Sequence, residues 1–162
     1  MDSTVSVYLD RAENEIKAAE ALKRISDDEA IKDDFGFPPE DTFYSGVISH
    51  CYYSIFYAAK AILLSKRIQT EYPDVHRKTF DAFKATFVDS GILDVKLLEI
   101  YQKLVVRADE LLEIFKDEKW KRGHFTYQTI RQANKVPAEE SLKNAKTFVL
   151  NITTVIGKKK VV

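Results

Sequence analysis

The stretch Thr42–Lys66, TFYSGVISHCYYSIFYAAKAILLSK, decides the fold of this 162-residue chain. Its first part, Thr42–Ala59, carries no formal charge, and apolar residues recur in it at steps of three and four. These steps predict a helix, and because apolar side chains cover nearly its whole circumference, other helices must surround it. A bilayer span is the competing interpretation, but the serines, the histidine and the tyrosines would be costly in hydrocarbon, and Lys60 interrupts the run. We therefore expect the central helix of a bundle that makes no membrane contact.

Helical periodicity also organises the chain before and after this stretch. Val5–Ile25 predicts a first amphipathic helix of about 24 residues, with charged residues on its wet side. The central helix is expected to end near Arg67, and a short helix over 75–88 follows it. Asp74 is the predicted N-cap of that short helix, because its carboxylate can accept hydrogen bonds from the first free amides.

Two more long helices complete the pattern. Asp94 is expected to cap a helix whose apolar period continues for six turns to Phe115. Pro137 suits the first position of the last helix, which Gly157 ends. The sequence thus predicts a single domain over 1–162. Its fold class is all-α: an antiparallel up-and-down four-helix bundle with an extra short helix between the second and third long helices.

Composition excludes some classes of protein and leaves others open. The 25 basic and 25 acidic residues cancel, so overall charge does not indicate a nucleic-acid or membrane partner, although a local patch can. Cys51 is the single cysteine and lies on the apolar stripe, which predicts a core residue and a reducing, cytoplasmic setting. The first residues lack the basic and then apolar layout of a signal peptide.

Two strongly charged segments lie outside the predicted helices, one after the first helix and one after the last. Residues 27–41 hold seven acidic residues and one lysine, a net charge of −6, together with Gly36 and two prolines. This composition predicts a solvated acidic loop. Residues 158–162 are expected to form a basic tail.

A basic and aromatic segment, 116–136, has no clear periodicity. Its residues 116–135 carry a net charge of +4, and Trp120, Phe125 and Tyr127 are interleaved with the basic residues. Cations next to flat aromatic faces suit phosphates and stacked bases, so the segment is a candidate nucleic-acid or nucleotide site. The alternative is a solvated loop whose aromatic side chains tuck into the core.

Other catalytic motifs are absent from the sequence. His50, His76 and His124 lack the close spacing of a metal site, so we expect no metal and no cofactor. His50 is expected to be buried or at an interface, and His76 to be a capping or surface residue. The tyrosines at 52, 53 and 57 are expected to make hydrogen bonds inside the bundle. There is no glycine-rich phosphate loop, serine elbow or paired acid motif.

Several motifs resemble those of HEPN domains, in particular the short, stand-alone prokaryotic branch. Ser49–Ala59 resembles the "s-r-a-Y-Y-a-x-F-h-a-a" core helix, and His76–Lys78 with the following phenylalanines resembles the "H-K-x…F…x-G" region. Arg122–Tyr127 resembles the "R-x-x-a-D-Y" motif, and Phe148–Val149 follows it at the distance of the family's closing helix. Arg107–Asp109 is a second match to the arginine motif, but it falls inside a long periodic helix.

The resemblance implies a bundle of four or five helices, in agreement with the periodicity. Many members of the family pair with a minimal nucleotidyltransferase as toxin–antitoxin systems. Active members cleave RNA without metal, using an arginine and, four to six residues later, a histidine, both of which face a cleft at a dimer interface. The resemblance therefore implies a homodimer, a nucleotidyltransferase partner, and RNA or a nucleotide as ligand.

The chain departs from the family at the position that matters most for catalysis. Tyr127 stands where the catalytic histidine is expected, Thr126 replaces the aspartate of the branch, and His124 is only two residues beyond Arg122. Histidine can take a proton from a 2′-hydroxyl near neutral pH, whereas a tyrosine with a pKa of about 10 is a poor base.

Three hypotheses follow from these observations. In the first, Arg122, with Lys119, Lys121 and Tyr127, binds the phosphate of RNA or a nucleotide in a regulatory module that pairs with a nucleotidyltransferase. In the second, the protein is a metal-independent endoribonuclease of the toxin type, in which Arg122 stabilises charge and His124 or Tyr127 moves the proton. In the third, it is a structural dimerisation bundle without a ligand site.

Overall fold

The structure, a computed structural model, describes residues 2–120 and 127–158, and it describes side chains over 2–109 and 135–157. These residues form helices and no strand, which confirms the predicted all-α fold. The helices are α1 (Ser3–Asp27), α2 (Glu29–Asp34), α3 (Tyr44–Leu64), α4 (Val75–Phe83), α5 (Val95–Trp120) and α6 (Tyr127–Lys158). A single turn of π-helix, Lys84–Val88, continues α4 directly.

The four long helices alternate in direction. The pairs that fix the direction are Glu15–His50 and Ser26–Phe43 between α1 and α3, Glu20–Lys146 and Asp27–Lys135 between α1 and α6, and Lys103–Glu140 and Tyr101–Phe148 between α5 and α6. In each set, a residue later on one helix meets a residue earlier on the other. The helices therefore run up, down, up and down in chain order, as the sequence predicts.

Helix α3 lies at the centre of the bundle and packs against α1, α4, α5 and α6. Val47, Cys51, Ile55 and Ile62 on its apolar stripe are fully buried. Among the described helices, α3 alone has the length and hydropathy of a membrane span, yet 61% of its most apolar window is buried inside the fold. That burial is the behaviour of a core helix.

A second part of the core consists of aromatic rings from α4, the π-turn that continues it, α5 and α6. We call it the buried aromatic cluster, and it consists of Phe83 of α4, Phe87 of the π-turn, Tyr101 of α5 and Phe148 of α6. Their ring centroids lie 5.4 to 5.9 Å apart, in tilted or edge-to-face arrangements. Since Tyr101 and Phe148 lie far along the chain from Phe83 and Phe87, this cluster ties α4 and the π-turn to α5 and α6.

The acidic segment 27–41 is not the continuous loop that the sequence predicts. Asp28 caps a short helix, α2, by accepting hydrogen bonds from the amides of Ala30 and Ile31 at 2.9 and 3.3 Å. Lys32 is buried, and its ammonium donates to the carbonyl of Pro39 at 2.7 Å. The prediction failed because a six-residue helix with a local cap is too short to produce a hydrophobic period.

The predicted helix caps had mixed outcomes. Asp94 accepts a hydrogen bond from the amide of Lys96 at 2.9 Å, which confirms its role at the start of α5. Asp74 has a left-handed backbone with φ of 55° and makes no side-chain cap, so the prediction for α4 is wrong. The central helix also ends at Leu64, three residues before Arg67, whose φ is 61°.

The start of the last helix was also predicted wrongly. Helix α6 begins at Tyr127, so Pro137 lies inside it rather than at its first position. Proline gives up one backbone hydrogen bond, but helix can continue on both sides of it, and 127–136 contains neither glycine nor another proline. The segment 116–136 is therefore mostly helical, with 116–120 in α5 and 127–136 in α6.

Candidate functional site

The residues predicted to form the phosphate site fall at the junction of α5 and α6. Arg122, Lys121 and His124 lie outside the described residues. Lys119 belongs to the last turn of α5 and Tyr127 is the first residue of α6, but their side chains are also outside the description. The site built on Arg122 therefore stays a prediction.

The described residues bring together a different pair of functional groups, Tyr52 and His76. Tyr52 lies on α3, and His76 is the second residue of α4. The Tyr52 hydroxyl is 2.6 Å from Nδ1 of His76, a hydrogen-bond distance. Phe56, one turn after Tyr52 on the same face of α3, stacks on the imidazole with a centroid distance of 4.2 Å and an interplanar angle of 24°. A hydrogen bond and a ring stack thus hold the imidazole in place.

Burial and charge set the protonation of this pair. Partial burial lowers the pKa of His76 from its ordinary value of 6.5, and the nearby ammonium of Lys60 lowers it further, so the imidazole is neutral at physiological pH. Burial raises the pKa of Tyr52 to about 12, and the nearby Tyr53 and Asp109 also raise it. A protonated phenol beside a neutral imidazole can donate to Nδ1, and the imidazole proton then lies on Nε2.

The imidazole is one end of a row of aromatic rings that reaches across α3 to α1. We call these residues the aromatic surface, and they are Tyr8, Tyr52, Tyr53, Tyr57 and His76. Successive ring centroids are separated by 6.2 Å from Tyr8 to Tyr57, 6.4 Å from Tyr57 to Tyr53 and 6.1 Å from Tyr53 to His76. Tyr53 is 41% exposed and His76 is exposed, whereas the other three are half-buried.

Two cations lie against these rings. The guanidinium carbon of Arg11 is 4.8 Å from the centre of the Tyr57 ring. The ammonium of Lys60 is 5.3 Å from the centre of the Tyr8 ring and donates a hydrogen bond to the carbonyl of Thr70 at 3.1 Å. A cleft of about 150 Å³ opens beside Tyr8 and Lys60. The aromatic surface is therefore flanked by positive charge at its α1 side.

His50 and Cys51, the other candidate residues with described side chains, lie where they contribute to packing between helices. His50 is half-buried where α1 meets α3, and its Nδ1 is 2.5 Å from a carboxylate oxygen of Glu15. Cys51 is fully buried as predicted, and burial raises the pKa of its thiol to about 12. Among the residues that the structure describes, no group of three histidine, cysteine, aspartate or glutamate side chains could hold a metal ion.

Sequence reasoning missed the pairing of Tyr52 with His76. His76 was expected to cap a helix or lie on the surface, and the tyrosines were expected to bond inside the bundle. His76 is exposed, but its ring partners are on α3, 24 residues earlier in the chain for Tyr52. The four-residue steps from Tyr52 to Phe56 and from Tyr53 to Tyr57 signal two ring pairs on one helix, but no local pattern points to His76.

Comparison with known proteins gives two matches to curated sequences. The chain is 35% identical over 81 residues to "Putative toxin MJ0142" of Methanocaldococcus jannaschii, which covers 47% of this chain and 53% of that protein. It is 27% identical over 110 residues to "Putative toxin MJ0605" of the same organism, which covers 68% of this chain and 69% of that protein. The first match thus spans about half the length of that relative. No family model matches the chain, and no solved structure matches it.

Proposed function

We propose that this protein is a HEPN-like, toxin-type module that binds RNA or a nucleotide. The similarity to two proteins that carry a toxin name is the observation that carries this proposal. The resemblance of Ser49–Ala59 and Arg122–Tyr127 to HEPN motifs supplies the finer assignment. In this proposal the protein is a cytoplasmic homodimer, and a nucleotidyltransferase is its partner in a toxin–antitoxin-type pair.

The proposed ligand contacts centre on Arg122. A guanidinium can bind two oxygens of one phosphate, which a lysine ammonium does less specifically. Lys119 and Lys121 add positive charge, and Tyr127 offers a ring and a hydroxyl. In the sequence Arg122 lies between Trp120, the last residue of α5, and Tyr127, the first residue of α6, so the proposed contact residues are close neighbours along the chain.

An affinity measurement with full-length protein tests this assignment. We expect Arg122→Ala to weaken binding of a labelled RNA oligomer or of ATP by roughly 10- to 100-fold, because one charge-assisted hydrogen-bonding group is lost. Lys143→Ala is the matched control, since Lys143 is an exposed cation in the middle of α6. Equal affinities of Arg122→Ala and the wild type would remove the site and leave a structural bundle as the simplest account.

The toxin names of the two relatives favour a second candidate, a metal-independent endoribonuclease. In such a reaction the 2′-oxygen attacks the adjacent phosphorus, a base takes the 2′ proton, and the departing 5′-oxygen receives a proton. Arg122 would stabilise charge on the phosphate, and His124 or Tyr127 would move the proton.

Incubation of the protein with RNA in the presence of a chelator decides between binding and cleavage. Cleavage that Arg122→Ala abolishes and His124→Ala slows by roughly 100-fold or more would establish the enzyme and its proton carrier. Intact RNA, with Arg122-dependent binding, supports the binding module instead.

A further inference from the structure

We propose that the aromatic surface, together with Arg11 and Lys60, is a binding site for single-stranded nucleic acid, on which bases stack and beside which phosphates are neutralised. No residue of this site belongs to the segment that contains Arg122. The site therefore goes beyond the proposed function and stands on its own geometry.

Continuity of the rings is the first argument. The rings of Tyr8, Tyr57, Tyr53 and His76 follow one another at 6.1 to 6.4 Å, across three helices. Two of the contacts are between nearly parallel rings, with interplanar angles of 21° and 30°. Every base has an aromatic face, so a row of partly exposed rings can bind a single strand with little dependence on its sequence.

Preorganisation is the second argument. The exposed imidazole of His76 rests on Phe56 and is hydrogen-bonded to Tyr52, so its orientation is fixed before any ligand arrives. Phe56 is itself buried and belongs to the central helix, α3. A ring that is already ordered loses little conformational entropy when a base stacks on it, which favours binding.

Charge complementarity is the third argument, and it favours nucleic acid over a partner helix. Arg11 lies over Tyr57, and no carboxylate pairs with Arg11 or Lys60 among the described side chains. Their cations thus remain available to phosphates. The rings of the aromatic surface carry three hydroxyls at 8, 53 and 57 besides the Tyr52–His76 pair, and these can hydrogen-bond to the phosphates, sugars or base edges of a bound strand.

Fluorescence anisotropy with a short, fluorescein-labelled uridine oligoribonucleotide and the full chain tests the site. We expect Tyr53→Ala to weaken binding by roughly 5- to 150-fold, because one stacked base contributes about 1–3 kcal/mol. Tyr53→Phe keeps the ring and should bind within about threefold of the wild type. Tyr72→Ala is the matched control, since Tyr72 is 90% exposed and lies outside the aromatic surface.

Salt dependence tests the phosphate contacts separately. Arg11→Gln should weaken binding and reduce the slope of log affinity against log salt by about 0.7, the value for one phosphate contact to a single strand. Lys96→Gln removes an exposed charge from the start of α5 and should leave the slope unchanged. An unlabelled deoxyuridine oligomer should compete for the site, because stacking and phosphate contacts are common to RNA and DNA.

Several results would overturn the proposal. These are absence of binding to either single strand, equal binding by Tyr53→Ala and the wild type, or equal affinity for duplex RNA, in which the base faces are covered. Loss of self-association in Tyr53→Ala, measured by sedimentation without nucleic acid, would instead make this surface an interface between copies. If Arg122→Ala abolishes binding while Tyr53→Ala does not, the proposed function survives and this site does not. If Tyr53→Ala abolishes binding while Arg122→Ala does not, this site survives and the proposed binding role of Arg122 does not.

Discussion

Two groups of aromatic rings in this bundle have similar spacing and opposite surroundings. In the buried aromatic cluster all four rings are fully buried, and their centroids lie 5.4 to 5.9 Å apart. In the aromatic surface the rings are 6.1 to 6.4 Å apart in the row from Tyr8 to His76, but solvent and two cations reach them. Ring spacing is therefore a poor guide to role, whereas burial and neighbouring charge separate a packing cluster from a binding surface.

The tyrosine hydroxyls of the aromatic surface and of the buried aromatic cluster also differ in their surroundings. The Tyr52 hydroxyl meets the imidazole of His76, and the Tyr53 side chain is open to water. The hydroxyl of Tyr101 is buried and has no hydrogen-bond partner among the described residues, and burial strongly raises its pKa. Tyr101 therefore contributes its ring to the core, and its buried hydroxyl, which has no partner among the described residues, lowers the stability of the fold.

The largest expected difference between the two groups is in stability. Phe148→Ala should lower the free energy of unfolding by about 3–5 kcal/mol, because a cavity replaces a fully buried ring. Tyr53→Ala should lower it by no more than about 1–2 kcal/mol, because Tyr53 is 41% exposed and its ring packs in part against Tyr57 and His76. Urea denaturation followed by circular dichroism measures both. Similar losses in the two variants would mean that the aromatic surface is part of the core.

A smaller effect of opposite sign is expected at Tyr101. Tyr101→Phe should leave the free energy of unfolding unchanged or raise it by up to about 1 kcal/mol, since it removes an unsatisfied buried hydroxyl and keeps the ring. Thermal unfolding by calorimetry provides the measurement, with the wild type and Tyr44→Phe run alongside. Tyr44→Phe should be destabilising, because the Tyr44 hydroxyl bonds Asp27 at 2.5 Å. A clear loss of stability in Tyr101→Phe would show that its hydroxyl has a partner.

The smallest expected effect is a change in the titration of His76. Lys60→Gln should raise the pKa of His76 toward the ordinary value of 6.5, because one of the two causes that lower the pKa is removed. Nuclear magnetic resonance of the imidazole protons follows this titration, and Lys143→Gln is the control. An unchanged His76 pKa in Lys60→Gln would mean that the two groups do not interact.

The lowered pKa of His76 also determines how this residue makes the free energy of unfolding depend on pH. Because folding favours the neutral imidazole of His76, the unfolded chain binds the proton more readily than the folded chain does. The free energy of unfolding therefore falls as the pH drops below 6.5 toward the folded-state pKa. His76→Gln should remove this part of the pH dependence, which denaturation at a series of pH values can measure.

The sequence by itself determined the fold class and the place of the central helix. Val5–Ile25 and Val47–Leu63 carry apolar stripes with a 3.6-residue period, and burial of such stripes against one another leaves a helical bundle as the stable arrangement. The same signal fails where it is weak: α2 is too short to show a period, and Pro137 was mistaken for the first residue of α6. The first error concerns a helix too short for a period, and the second concerns a helix start, where local capping and tertiary contacts compete with periodicity.

Only the tertiary structure decided which rings meet. Tyr8, Tyr53 and His76 lie on three helices, and the antiparallel packing of α1 on α3, with α4 packed on α3, brings them into one row. The sequence records which side chains are aromatic, but the distance between residues far apart in the chain depends on helix packing, which no local period encodes. The hydrogen bond between Tyr52 and His76 likewise depends on how α4 packs on α3, so it could not be predicted from the local sequence around either residue.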